Sequence, residues 1–522
     1  MTSDAAAEDR MLKNTGNTFK TQLALVILSL VGVGLVLLST SRYGVGISPD
    51  STQYISTARS LLAGNGYLGF DDAPFRDSPP LFAALLAFLG AIGIEPLIGA
   101  RFLNAFAFGL IILLSGRLFL THVRSKVLVV LGTTTILLSV PLFSVSVMAW
   151  TEPVFVLLSV LFVIYLSEFL DENRLSVLFL VSILVGLACL QRFIGITLVL
   201  TGFVLIVSSL PKVSLLGRSK YAVVFAGISV VPVLIWIIQS YVLTSTLTGG
   251  RSSSGFALSQ SIVQTLSAMA IWFVPHGVPS WMKMVGLGLV LSVMLVTPVS
   301  LCYRSRREAS INSKELMEER TAGAFVLVYA LALIVYSAIF DGEKIADRLL
   351  APMYVLIMFM VFVGIEQVSN FLNVRLRRPA LGTFAVILLC TLWLTYPLAR
   401  VSKHALSYAR NGPPGFNTVA WRESPTIQWL QAHPLEGKVY SNAPDVVYIL
   451  TGRAAHLSPC RSVDVSELRN SLSSGLDHYV VWFDIGWFDE WRSHCYDMRK
   501  LASIFDIEEV ATFSDGGIYL LR

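Results

Sequence analysis

The chain has 522 residues, of which 54% are hydrophobic and only 14% charged, against about a quarter charged in an ordinary soluble domain. That balance excludes a water-facing globule. The net charge of +5 does not mark a nucleic-acid binder either, because the basic residues fall in alternate connecting loops between apolar runs.

Charge-free runs of about twenty residues recur, each long enough to cross a hydrocarbon core as a helix. The first, over 21–41, follows a polar stretch with Arg10, Lys13 and Lys20. No small-residue cleavage site follows it, so it is read as a retained span rather than a signal peptide. A long loop from Arg42 to about Pro96 comes next. In its "SPDSTQYISTARSLLAGNGY", Tyr54, Ile55, Ala58, Leu61 and Leu62 recur at helical spacing, which predicts an amphipathic helix lying along the membrane interface. The apolar "PPLFAALLAFLGAIG" is too short for a span and is expected to dip into the outer surface.

Further spans are expected over 97–119, 126–146, 152–169, 174–191, 194–211, 220–243, 283–303, 321–340, 349–369 and 380–398, about eleven in all with the first. The segment "TSTLTGGRSSSGFALSQSIVQTLSAMAIWFVPHGVPSW" reads as a loop leading into an interfacial helix, with Trp272 and Trp281 at headgroup level. Basic clusters at Lys13 and Lys20, Arg117 to Lys126, Lys212 to Lys220, Arg304 to Arg307 and Arg375 to Arg378 mark the cytoplasmic loops. The N-terminus then lies inside and the tail from about Arg400 outside.

That tail changes character. "GKVYSNAPDVVYILTG", "DHYVVWFDI" and "EEVATFSDGGIYLL" read as strands, with helices near "SPTIQWLQAH" and "DEWRSHCYDMRKLASIF". The expected organisation is a cytoplasmic tail (1–20), a membrane domain (21–399) that includes the first outer loop (42–96), and a small extracytoplasmic α/β domain (400–522). Cys189, Cys302 and Cys390 sit in or beside apolar helices as small buried thiols. Cys460 and Cys495 fall in the one large region placed on the oxidising side, and a disulfide between them is expected. No metal-ligand spacing accompanies these cysteines or the scattered histidines, of which only His276 lies in the aromatic outer segment.

Charges at membrane depth are costly, so those at the outer ends of helices are informative. They are Asp50 in "SPDS", Glu152 in "MAWTEPVF", Arg192 in "LQRFIG", Arg251 in "TGGRSSS", and Asp341, Glu343, Lys344, Asp347 and Arg348 in "FDGEKIADRLLAP". All map to one side. Each also has a plain structural reading: Asp50 as a helix cap, Glu152 as a helix-start acid beside a proline, and the arginines as headgroup anchors or partners of nearby carboxylates. Asp347 beside Arg348 suits a local ion pair, and Arg101 an interface anchor.

The order "SPDSTQYISTARSLLAGNGY", "PPL", "ARFLNAF", "TEPVF", "RFIG", "DRLLAP" resembles the C-type glycosyltransferases, in particular the branch similar to protein mannosyltransferases and lipid A aminoarabinose transferases. The resemblance covers most of residues 20–370. It implies a multi-pass enzyme of the cell membrane that transfers a sugar from a polyprenyl phosphate to a hydroxyl of a glycan, lipid or protein on the outer face. It also implies Asp50 as general base, Arg348, Arg192 and Arg251 as donor-phosphate ligands, and Glu152 as a second acid. Tyr54, Trp150 and Asp347 would position donor or acceptor. No metal or cofactor is required, because arginines can hold a phosphate leaving group alone, although a divalent cation would fit the same chemistry. A transporter or flippase would instead place charges near the midplane of two related halves, which the sequence does not do. A non-catalytic assembly protein whose outer domain binds a partner is the third class.

Overall fold

The computed structural model describes residues 2–210, 213–247, 257–275, 277–288, 291–292, 313–340, 345–375, 381–460, 462–472, 476–484 and 496–522. In chain order the helices that matter below are α1 (Thr2–Ser39), α2 (Pro49–Leu62), α3 (Leu81–Ala91), α4 (Pro96–His122), α5 (Lys126–Leu137), α6 (Val140–Ser146), α7 (Glu152–Glu172), α8 (Leu175–Gln191), α9 (Ile196–Ser208), α10 (Leu215–Thr244), α11 (Leu258–Phe273), α12 (Ser313–Ile339), α13 (Asp347–Arg375) and α14 (Leu381–Asn411). The chain divides into two compact units. One comprises Met1–Ser39, Arg76–Phe82 and Arg101–Leu406; the other comprises Thr40–Phe75, Ala83–Ala100 and Ser407–Arg522.

The first unit is helical and inside-out in its surface. Leu30, Leu216, Val242 and Phe371 are exposed apolar side chains on long helices, the arrangement expected where the surrounding solvent is lipid. Seven described helices are long and apolar enough to cross a membrane, and the pair α5 and α6, bent by 46° at their junction, makes up to eight. The bend has a local cause: Ser139 caps α6 by accepting the Leu142 N–H, and Pro141 sits in its first turn. Helices coincide with every expected span except 283–303, most of which lies outside the described residues. Two of them, α8 and the stretch Phe193–Ser208, are shorter than a full crossing. The chain is a multi-pass membrane protein.

Helix α13 is the hub, with 83% of its apolar window buried against 22% for α1 and for α14. Its Phe359 and Phe362 pack on Phe119 of α4, while Phe155 of α7 packs on Tyr329 of α12. Small residues let backbones approach, as membrane helices require: the Ser29 hydroxyl donates to the Gly109 carbonyl at 2.7 Å. Helix α3 has 11 residues, about 16 Å at 1.5 Å per residue, so it does not cross. Trp272, expected at headgroup level, is packed inside the unit rather than on its surface. It is buried, donates Nε1–H to Asp347 Oδ1 at 2.8 Å and meets Tyr354 edge-on at 5.1 Å. Trp281 is exposed.

The second unit holds a mixed sheet. Its elements are helices α15 (Val419–Arg422), α16 (Pro425–Ala432), α17 (Pro444–Thr451), α18 (Ser462–Leu472) and α19 (Met498–Ala502), with strands β1 (Lys438–Ser441), β2 (His456–Leu457), β3 (His478–Phe483), β4 (Ile507–Phe513) and β5 (Gly516–Leu521). Strand order is β2-β1-β3-β5-β4, with β1 parallel to β2 and β3, and β5 antiparallel to β3 and β4. A bulge between Glu509 and Ala511 breaks the register of β4. The "PDVVYILT" stretch, expected as strand, is helix α17. Pro444 stands in its first turn with Asp445, and Gly452 closes it in the left-handed conformation at φ 74°, start and stop signals that outweigh β-branched composition. Cys189 and Cys390 are free thiols. Cys460 is disulfide-bonded; Cys302 and Cys495 lie outside the described residues.

The loop helix α2 belongs to this second unit, as the sequence periodicity predicts for its existence, but its cap differs from expectation. Ser48 is the N-cap, accepting the Ser51 N–H, and Pro49 is the first helical residue. Asp50 therefore sits inside the first turn, where its charge favours the helix dipole without performing the cap. Its buried face carries Ser51, Thr52, Tyr54, Ile55, Ser56, Thr57 and Ala58, while Leu62 is exposed.

Candidate active site

In the first unit three of the expected residues converge on one point. Glu152 opens α7, wholly buried. Its Oε1 accepts from Arg192 Nη1 at 2.5 Å and from Arg348 Nε at 2.6 Å. The Thr151 hydroxyl accepts a second hydrogen bond from Arg192 Nη1 at 2.8 Å and donates to Glu152 Oε2 at 3.4 Å. Two guanidinium groups share one carboxylate. Charges so placed are stable only when paired and hydrogen-bonded.

Local sequence explains how each group arrives. Arg192 ends α8 in an extended conformation, and a tight 3-10 turn, Phe193–Gly195, folds back onto it. A Cβ on Gly195 would stand 2.7 Å from the Ala188 carbonyl carbon and the Cys189 nitrogen, so the turn needs glycine. Arg348 lies in the first turn of α13, its guanidinium 4.0 Å from the centroid of the Trp150 ring, a cation–π stack that fixes its plane. Asp347 Oδ1 accepts from the Trp272 indole, and Arg348 pairs with the carboxylate of Glu152.

Two further polar residues belong to this layer and escaped the sequence reading. Asn104 Nδ2 donates to the carbonyls of Met148 and Trp150 at 2.7 and 3.0 Å, and Gln191 Nε2 donates to the Thr151 carbonyl at 3.0 Å. Both are fully buried, and together they hold the 148–151 segment that presents Trp150 and Glu152. Their signal was a polar amide inside an apolar run, in "ARFLNAF" and "CLQRF". Arg76, also unforeseen, is buried with its guanidinium 4.5 Å from the Trp236 ring centroid. Arg101 donates to the Leu37 carbonyl at 2.7 Å, which ties α4 to α1.

Asp50 and Tyr54 lie in the second unit. Asp50 is half-buried; Tyr54 is buried, edge-on to Phe75 with ring centroids 6.0 Å apart. Arg251, His276, Asp341, Glu343 and Lys344 lie outside the described residues. Among the described residues no three His, Cys, Asp or Glu side chains gather as a metal-ligand set.

No family model matches the sequence, and no curated protein is similar to it in sequence. Solved structures are similar in fold. The apo structure of ArnT from Cupriavidus metallidurans superposes with a TM-score of 0.60 at 12% identity, covering 95% of this chain and 97% of that one. The same protein bound to undecaprenyl phosphate gives 0.55 at 14% identity over the same shares. The oligosaccharyltransferase AglB from Archaeoglobus fulgidus, in complex with an inhibitory peptide and a dolichol-phosphate, gives 0.51 at 15% identity, covering 89% of this chain and 69% of that one. At such identities the likeness lies in the path of the backbone, over nearly the whole chain: this protein has the fold of the C-type glycosyltransferases that its sequence resembles.

Proposed function

We propose that the protein is an inverting glycosyltransferase that moves a sugar from a polyprenyl-phosphate carrier to an acceptor hydroxyl at the outer face of the cell membrane. The observation that carries this reading is the cluster in which Arg192 and Arg348 both pair with the buried carboxylate of Glu152. A lipid phosphate leaving as sugar transfers gains negative charge, and preorganised guanidinium groups in a water-poor setting stabilise it better than water does. Undecaprenyl phosphate and dolichol-phosphate bound in the structures of similar fold agree with that ligand class.

In this reading Asp50 is the general base. It takes the proton of the acceptor hydroxyl as that oxygen bonds to the anomeric carbon and the carbon–phosphate-oxygen bond breaks on the opposite side. Inversion follows from the single displacement. Glu152 holds the two guanidinium groups at one position and orientation, a role suited to a carboxylate whose Oε1 already accepts from both. Trp150 sets the plane of Arg348, Asp347 anchors the start of α13, Tyr54 stiffens the buried face of α2, and Arg251 supplies further positive charge. The reading needs no metal. It puts the N-terminus in the cytoplasm and the tail from about Arg400 outside.

The test is sugar transfer from a panel of polyprenyl-phosphate sugars into membranes, with Asp50→Asn beside the parent. Because Ser48 caps α2, the amide leaves the helix start intact. The variant is expected to fold and bind donor normally while losing transfer by a factor of about 10² to 10⁴, the usual contribution of a positioned proton acceptor. Near-parental turnover would remove Asp50 from the mechanism.

A further inference from the structure

The chain enters α2 through a contact with the C-terminal part of the second unit. Ile47, three residues ahead of Asp50, is a core residue of that unit, packed with Phe416, Trp421, Val446, Val481 and Ile518. Its backbone forms a parallel bridge with Gly415, and the Phe416 N–H donates to the Ile47 carbonyl at 2.8 Å. Beside it the fully buried Asn417 donates Nδ2–H to the Val45 carbonyl at 2.8 Å and accepts on Oδ1 from Arg422 Nε and Nη2 at 3.1 and 2.6 Å. At the far end of α2, Arg59 pairs with Glu95 at 2.6 Å and lies 5.8 Å from the ring centroid of Tyr448 on α17. Helix α2 is thus held at both ends, with its long buried face between.

From this geometry we infer that the C-terminal segment 412–417 is a clamp that sets the position of α2 and of the Asp50 carboxylate, making Gly415 and Asn417 positioning residues for transfer. The inference rests on the reading of Asp50 as base. Gly415 has φ 96°, and a Cβ there would overlap the Ile47 carbonyl oxygen. Any side chain must push the 45–48 segment away. A cavity of about 180 Å³ lined in part by Ile47, Asn417 and Arg422 lies beside the junction, so the segment has somewhere to go once the clamp is loosened. Asp50 follows Ile47 through a proline and the first helical turn, a stiff connection, and a displacement of about 1 Å at a proton acceptor can cost on the order of 100-fold in rate.

The experiment uses the full-length protein and compares Gly415→Ala, Asn417→Ala and Asp50→Asn. Two readouts are taken: amide hydrogen exchange across the chain, and kcat with donor KM for the same polyprenyl-phosphate sugar. Clamp loosening is expected to speed exchange in 48–56 and leave Glu152–Glu172 unchanged. Turnover should fall about 10- to 100-fold with donor KM within about twofold of the parent, because the donor phosphate is assigned to arginines of the other unit. Arg422→Ala, an exposed change that weakens only the Asn417 tie, gives the same readouts in milder form if the first two fail to fold. Parental kcat in variants with faster exchange, while Asp50→Asn is inactive, overturns the inference. So does a joint loss of kcat, donor affinity and exchange protection throughout the chain. If Asp50→Asn keeps full turnover, the base assignment falls, and the exchange pattern alone decides whether 412–417 holds the helix.

Discussion

Replacing Glu152 by Gln keeps the side chain's size and removes its charge, which leaves two guanidinium groups facing a neutral amide at a fully buried site. The magnitude follows from two routes. The carboxylate accepts one short charge-assisted bond from each arginine, and at about 1.5 to 3 kcal/mol each these total about 3 to 6 kcal/mol. Removing one partner of a buried ion pair costs about 3 to 5 kcal/mol by experience with other proteins. The two routes agree on a loss near 4 kcal/mol, read as a fall of several degrees in thermal unfolding in detergent. Combining Glu152→Gln with Arg348→Gln should cost less than the sum of the single changes by about 1 to 3 kcal/mol, because removing one guanidinium relieves the repulsion that the first change creates. Inorganic phosphate should raise the unfolding temperature of Glu152→Gln more than that of the parent, since an anion can take the vacated role. A single variant within 1 kcal/mol of the parent, or strict additivity with Arg348→Gln, would refute the shared-carboxylate reasoning.

Trp272→Phe removes the donor to Asp347 and should destabilise by about 1.5 to 3 kcal/mol, an effect reduced when Asp347 is already Asn; full additivity of the two in thermal unfolding would count against that bond. For the cysteines, a bridge between Cys460 and Cys495 closes a loop of about 35 residues and contributes about 3 to 4 kcal/mol by chain entropy. Alkylation of the oxidised, denatured protein should leave both unmodified, and recovery of either as a labelled thiol would end that pairing. Protease added to intact spheroplasts should release the domain that follows α14, and a protected domain would reverse the proposed orientation.

Apolar runs and their lengths were legible in the sequence because each depends on neighbours within a turn or two. The site was legible only as a set of candidates. Glu152 meets Arg192 forty residues away and Arg348 another 156 beyond that, and no local pattern says which carboxylate a guanidinium will find. Asp347 looked like the natural partner of Arg348 by adjacency, yet successive residues on a helix point in different directions, and the partner that the fold supplies to Asp347 is the indole of Trp272. The burial of Trp272 was hidden from the sequence for a related reason. An aromatic residue near a helix end suits a headgroup anchor, and only the packing of α11 against α13 shows it buried. In the "SPDS" turn the cap falls on Ser48 because a serine ahead of a proline at the first helical position is the stronger start signal, which displaces the reading that gave Asp50 that duty. Helix α17 shows the reverse error, where valine and isoleucine content suggested strand and the flanking Pro444 and Gly452 decided otherwise.

The mixed sheet ends on two rims that differ in kind, β2 with two residues and β4 with seven. An uncovered rim of β4's length is a template on which a second chain can add a strand. Here Glu508 and Glu509 stand on it, the bulge at Glu509 and Ala511 twists its hydrogen-bonding groups out of line, and Arg522 ties down Glu508 through its Nε at 2.8 Å. Neighbouring copies confined to one membrane plane meet at high local concentration, and a rim built this way gives them nothing flat to extend. Replacing Glu508 and Glu509 with Val would strip those charges from the rim and is expected to leave an edge more prone to pairing between copies.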